Sequence, residues 1–198
     1  MPVRKTGAHR WPPYSRILYT FEVFILFLSI QTPVIPAAPA KEYLTPKEIE
    51  KIQDAQEIEP RIKIYMEAAA LRLQAAEDRM NGKEAEAEDP LEFFTVPDML
   101  EGYYDIFKSV MMNLDQAYQK PRPGDRENLG KALKHLKDGA EKGQKSLAIL
   151  KKMAEDKKDE ETWNLVNKDI DITTGALEGA KLGLSRQPAG PEKKKRKN

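Results

Sequence analysis

The sequence predicts an all-α fold: an antiparallel four-helix-bundle-like domain with a short additional N-terminal helix. Three observations lead there. Apolar residues recur at alternating steps of four and three, which keeps them on one stripe of a helix. Proline, glycine and capping residues punctuate the chain between those stretches. No sustained alternation with a period of two argues for a strand.

The first helical signal is Thr45-Pro46-Lys47-Glu48. Thr45 caps the leading N–H groups, Pro46 suits the first helical position and Glu48 completes a capping box. This helix is expected over 46–57, with Pro60 forcing a break or kink.

From Pro60 onward, Ile62, Met66, Ala69, Leu73, Ala76 and Met80 share one stripe, which Asn81-Gly82 ends. The charged stretch 83–90 reads as a solvated loop. Pro97 opens the next helix, with Leu100, Tyr104, Phe107, Met111, Leu114 and Tyr118 in the same stepping, widened to a face by Tyr103, Val110 and Ala117. The breakers at 120–124 stop it, and Asp125 is expected to cap the following helix. That helix carries Leu129, Leu133, Leu136, Ala140, Gly143, Leu147, Leu150 and Ala154. After a turn at 157–159, the last helix carries Trp163, Val166, Ile170, Thr173, Leu177, Ala180 and Leu184. Four such segments with short connections should pack up-down-up-down, at shallow crossing angles near +20°.

Residues 1–40 follow a different plan. Arg4, Lys5, Arg10 and Arg16 precede an apolar run from Ile17 to Ile30. Pro33 and Pro36 then lead to Ala38-Pro39-Ala40, an A-x-A site, with Lys41-Glu42 directly behind. This is the order of a secretory signal peptide, so cleavage is expected after Ala40 and the protein is expected to be exported, periplasmic or secreted. The alternative is an uncleaved membrane anchor. The run is about 14 residues long and contains Glu22, whereas a spanning helix needs roughly 20. The expected organisation is therefore a signal peptide at 1–40, a helical domain at 41–185 and a disordered basic tail at 186–198.

Charge separates the same three parts. The chain has 33 basic and 32 acidic residues, but both ends are basic. Residues 41–185 keep 23 basic and 30 acidic residues, a net charge near −7. Such a surface is a poor match for nucleic acid, and no nucleic-acid partner is expected. The tail places Lys193 to Lys197 together behind Pro188 and Pro191. In an exported protein such a cluster suits a protein partner or an anionic envelope surface, or serves only as a solubilising tip. The chain has no cysteine, so disulfides, thiolate zinc sites, cysteine nucleophiles and a lipid anchor at the cleavage point are excluded.

Glycine spacing sets the last two helices apart. Gly139 and Gly143 lie four apart on one, and Gly175, Gly179 and Gly183 on the other. An interior glycine costs about 1 kcal/mol against alanine, so five of them point to close packing of the last two helices against each other. The alternative is that they leave room for a ligand or a partner helix.

Chemistry-bearing patterns are sparse. Of two histidines, His9 lies in the leading segment and His135 stands alone, so no H-E-x-x-H motif exists. Ala132 occupies the place where a di-iron E-x-x-H would need its glutamate. Met66, Met111, Met112 and His135 provide the residue types that hold haem, but methionine at core spacing is commonly a gap-filler. The aromatic group Phe93, Phe94, Tyr103, Tyr104, Phe107 and Tyr118 reads first as core and second as a binding groove. No catalytic, metal-ligating or cofactor-binding residue is assigned and no cofactor is expected. The expected role is a non-enzymatic, exported bundle working through protein or cell-envelope contacts, with a small-ligand or haem-binding bundle as the alternative.

The stretch from Tyr43-Leu44-Thr45-Pro46-Lys47-Glu48 through Arg61-Ile62-Lys63-Ile64-Tyr65 resembles the opening of uncharacterised exported all-helical bacterial proteins, over roughly residues 43–75. That resemblance implies bacterial export and an all-helical fold. It implies no activity, and no site residue is carried over from it.

Overall fold

The computed structural model describes residues 42–121 and 125–186, and the expected cleavage site and the tail beyond Arg186 lie outside them. Five helices form in order: α1 Pro46–Asp54, α2 Ile58–Met80, α3 Val96–Gln119, α4 Asp125–Lys157 and α5 Glu160–Ser185. No strand occurs among the described residues, and none of their helices is long and apolar enough to cross a membrane.

The capping box that opens α1 forms as the sequence predicts. The Glu48 amide donates to Thr45 Oγ1 (3.3 Å) and the Thr45 amide to Glu48 Oε2 (2.7 Å). The helix ends at Asp54, three residues before the predicted Glu57. The reason is that Pro60 sits in the first turn of α2, where its missing N–H has no intrahelical role, so the chain must turn earlier. Arg61 secures that turn by donating from Nε (3.2 Å) and Nη2 (2.6 Å) to the Ala55 carbonyl.

Helix α2 buries Ile62, Met66, Ala69, Leu73, Ala76 and Met80 in the predicted stepping. It closes in a Schellman arrangement: Gly82 N bonds Arg79 O (2.9 Å) and Lys83 N bonds Asp78 O (2.9 Å). Gly82 has φ +79°, the left-handed conformation that glycine adopts without strain.

A second capping box, Thr95 with Asp98, opens α3. The centre of its buried face is Leu100, Tyr103, Phe107, Val110, Leu114 and Ala117. Tyr104 and Met111 lie at the margin, and Tyr118 is 73% exposed and outside the core. Asp125 is buried as the first residue of α4 rather than standing before it. Lys158, at φ 55°, turns the chain, and Asp159 caps α5 by accepting from the Thr162 amide (3.0 Å). The inward stripe of α5 keeps Val166, Thr173, Leu177 and Ala180 of the predicted one, with Thr162 and Asp169 fully buried in place of Trp163 and Ile170. Trp163 is 38% exposed.

Consecutive helices α2 to α5 run antiparallel, and α1 packs against α2. Around the bundle the order of neighbours is α2, α3, α5, α4, returning to α2. Contacts between α2 and α4 advance in the same direction on both helices: Glu57 just before α2 meets Asn128, Glu59 meets His135 and Met66 meets Gly139. These two helices are therefore parallel neighbours. Across one diagonal, Tyr103 of α3 reaches Gly143 of α4; across the other, α2 and α5 make no contact.

Candidate functional site

The parallel pair α2 and α4 borders an open groove with a cavity volume of about 550 Å³. It runs from Lys63 to Glu77 along α2, roughly 21 Å at 1.5 Å per residue. Its origin is local. Ala69 and Ala70 on α2 and Gly139 and Gly143 on α4 present little or no side chain where the helices face each other. Behind them, Tyr103 and Phe107 of α3 form an aromatic floor, with ring centroids 4.6 Å apart. Leu73 adds apolar surface.

The rim is polar and carries both signs of charge. Lys63 and Glu67 form an exposed pair on α2, and Asp138 and Lys142 line the α4 edge. His135 Nε2 lies 3.0 Å from Glu59 Oε1, both partly buried, closing one end. An apolar floor under a charged rim suits an amphipathic ligand.

The two sides of the floor differ. Below Tyr103 lies a buried polar set. Thr173 Oγ1 donates to the Asp169 carbonyl (2.6 Å), which uses its proton, so the Tyr103 hydroxyl is the donor in its 2.8 Å bond to Thr173 Oγ1. Asp169 is 1% exposed, and its Oδ2 has no hydrogen-bond partner in the protein. Burial pushes the Asp169 carboxyl up to about 8, outweighing the opposing pull of Lys168. Burial likewise pushes the Tyr103 hydroxyl up, offset in part by its bond to Thr173 and reinforced by the Asp169 charge.

No protein-family model matches this chain, and no curated protein or solved structure matches it.

The residues singled out by sequence divide clearly. Gly139 packs against Met66, whose sulfur would lie 2.8 Å from an added Cβ, and Gly143 packs against the Tyr103 hydroxyl. Gly183 takes the Leu133 side chain, 2.9 Å from an added Cβ. Gly175 and Gly179 face open space, so these two take no part in close helix packing. The glycines thus receive side chains singly instead of forming one seam between the last two helices. Ala38 and Ala40, and the basic cluster Lys193 to Lys197, lie outside the described residues. Of the residues suited to haem, Met66 and His135 both line the groove, but Met66 turns its sulfur to Gly139 and His135 turns Nε2 to Glu59. Met112 is 64% exposed. Among the described residues no cluster of three or more His, Asp or Glu is arranged to hold a metal ion.

Two buried ionisable residues escaped the sequence reading, Arg72 and Asp169. Each sits at a core position of its helix: Arg72 is three residues from Ala69 and four from Ala76, and Asp169 is three from Val166 and four from Thr173. That phase was the available signal.

Proposed function

We propose that this protein is an exported binding protein that holds a single-chain amphiphile, a linear apolar tail with a polar head, in the α2/α4 groove. The observation that carries this reading is the groove itself, whose volume of about 550 Å³ falls within the usual range for small-ligand sites. Its length of roughly 21 Å suits an extended chain better than a compact ring system. The rim charges of Lys63, Glu67, Asp138 and Lys142 give a head group polar partners of either sign. The ligand is held by contact, since the sulfur of Met66 and Nε2 of His135 already have protein neighbours. Export is supported by the order of features in residues 1–40, and the basic cluster Lys193 to Lys197 supports work beside an anionic envelope surface.

The test is an amide chemical-shift titration with dodecylphosphocholine below its micelle-forming concentration. Saturable shifts centred on Ala70, Gly139 and Gly143 are expected, and they should vanish in Ala70→Trp, which fills the groove from an exposed position. Absence of saturable binding, or shifts centred elsewhere, would overturn the reading.

A further inference from the structure

The Tyr103 ring forms the groove floor on one side and ends, on the other, in the polar set that contains Asp169. We propose that proton binding at Asp169 controls the floor of the α2/α4 groove through Thr173 and Tyr103, so that ligand occupancy and protonation of this carboxyl are coupled. This rests on the groove being a ligand site.

The geometry leaves the carboxyl few ways to accept a charge. Asp169 is buried and Oδ2 has no partner, so the neutral acid is the form the surroundings tolerate. An ionised carboxylate would need donors. The nearest hydroxyls in this set are already committed, Thr173 to the Asp169 carbonyl and Tyr103 to Thr173. Drawing either one toward Oδ2 breaks the chain of hydrogen bonds that holds Tyr103. Tyr103 cannot adjust freely, because its hydroxyl already rests against Gly143 on the groove wall. Ionisation therefore disturbs both the floor and the α4 wall.

The other groups around Asp169 do not supply a counter-charge. From α3, the Tyr103 hydroxyl joins the set through Thr173, and Tyr104 engages the Lys168 ammonium, which lies 3.9 Å from its ring centroid. Lys168 lies on α5 itself and is exposed, and its pull on the carboxyl does not offset the burial. On α4 the buried residues at this level are Leu147 and Leu150. Its nearby charges are Lys145, which is exposed, and Lys151, which donates to Asn167 (2.8 Å). Helices α1 and α2 make no contact with α5.

The direction follows from linkage. A ligand packed against the groove wall at Gly143 favours the arrangement in which the neutral acid leaves Thr173 and Tyr103 in place. It therefore tightens proton binding, and by reciprocity affinity falls as pH rises through the titration of Asp169. His135 also lines the groove and must be separated from this effect.

Two readouts test the coupling. Dodecylphosphocholine has a head group that does not titrate between pH 6 and 9. Its affinity for the wild-type protein should weaken by about threefold or more across that range, stay flat in Asp169→Asn, and keep its pH dependence in His135→Gln. Without ligand, the Gly139 and Gly143 amides should titrate with the midpoint of the Asp169 carboxyl, and Asp169→Asn should abolish that titration. If the probe binds with pH-independent affinity, the coupling is wrong while the groove site stands. If it does not bind, the groove site is wrong, and the two glycine amides alone decide the link to the floor: titration supports it and silence overturns it.

Discussion

Arg72 and Glu48 meet in a two-point ion pair, Nη1 to Oε1 at 2.5 Å and Nη2 to Oε2 at 2.6 Å, with the guanidinium almost wholly buried. Arg72 also donates to the carbonyls of Ala68 (3.1 Å) and Tyr43 (2.9 Å). Glu48 is the residue that closes the capping box of α1, so one carboxylate both starts that helix and fastens it to the bundle. The Tyr43 hydroxyl adds a 2.9 Å bond to Ser109, and the Tyr43 backbone lies beside Gly102 of α3.

Removing Glu48 should therefore cost far more than removing an ordinary helix cap. Glu48→Ala leaves the Arg72 charge buried without a counter-ion, a loss of about 3–5 kcal/mol in urea unfolding. Arg72→Met combined with Glu48→Ala removes both charges and should recover to within about 2 kcal/mol of wild type. A cost for Glu48→Ala below about 1 kcal/mol would show that the pair is solvated and does not fasten α1.

Opposing titrations should give the fold a stability maximum on the acid side of neutrality. Burial pushes the Glu48 carboxyl up, but hydrogen bonds from Arg72 and the Thr45 amide, with the Arg72 charge, outweigh it and hold it below the usual range. A depressed carboxylate contributes stability above its unfolded value and loses it as pH falls through its folded value. Asp159, lowered by its hydrogen bonds to Thr162, acts in the same sense. Asp169 acts in reverse. The native state keeps a proton that the unfolded chain releases above about pH 4, so stability declines as pH rises from there to about 8. The slope from this one group is at most about 1.4 kcal/mol per pH unit. Unfolding free energies measured from pH 3 to 9 should peak near pH 4, between the Glu48 and Asp159 gains and the Asp169 loss. Asp169→Asn should flatten the alkaline side and gain on the order of 3 kcal/mol at pH 7. An unchanged profile in that variant would show that Asp169 is hydrated.

These two residues also mark how far the sequence could be read. The start of α1 was legible because Thr45 and Glu48 cap their own backbone, and that chemistry is local. The stripe of α2 was legible because Ile62, Met66, Ala69 and Leu73 are apolar and in phase. Arg72 and Asp169 were hidden because an ionisable residue in an amphipathic pattern reads as surface, even at a core phase. The groove was hidden for another reason. A stripe shows which face of a helix is buried, but not which helix covers it, so nothing local reveals that α2 and α4 are parallel neighbours. The five glycines share one spacing, yet their roles depend on phase: Gly143 falls on the buried stripe of α4, while Gly175 and Gly179 lie between the buried positions of α5.

That difference in phase gives the glycines opposite mutational signs. A Cβ at Gly175 or Gly179 would meet nothing within 4 Å. Alanine there should stabilise by about 1 kcal/mol per site, through helix propensity alone. At Gly139 the obstacle is the end of a flexible methionine, which can swing aside. Gly139→Ala should be close to neutral in stability while narrowing the groove. Thermal unfolding of the three single variants measures this order, and destabilisation by Gly175→Ala or Gly179→Ala would mean that this face is covered.

Gly143 and Tyr103 should instead be energetically coupled across the diagonal of the bundle. An added Cβ at Gly143 collides with the Tyr103 hydroxyl, and that ring is buried to 1% against Phe107 and bonded to Thr173. It has no room to retreat, so Gly143→Ala should cost about 1–3 kcal/mol despite its gain in helix propensity. Tyr103→Phe removes the colliding oxygen and one hydrogen bond, costing about 1 kcal/mol, and Thr173 keeps its bond to the Asp169 carbonyl. In the double variant the methyl group occupies the space left by the hydroxyl. The two losses should then sum to more than the double variant shows, with a coupling of about 1 kcal/mol or more in urea unfolding. Simple additivity would place the Tyr103 hydroxyl away from Gly143. It would also remove the contact through which the buried side of the floor touches the groove wall.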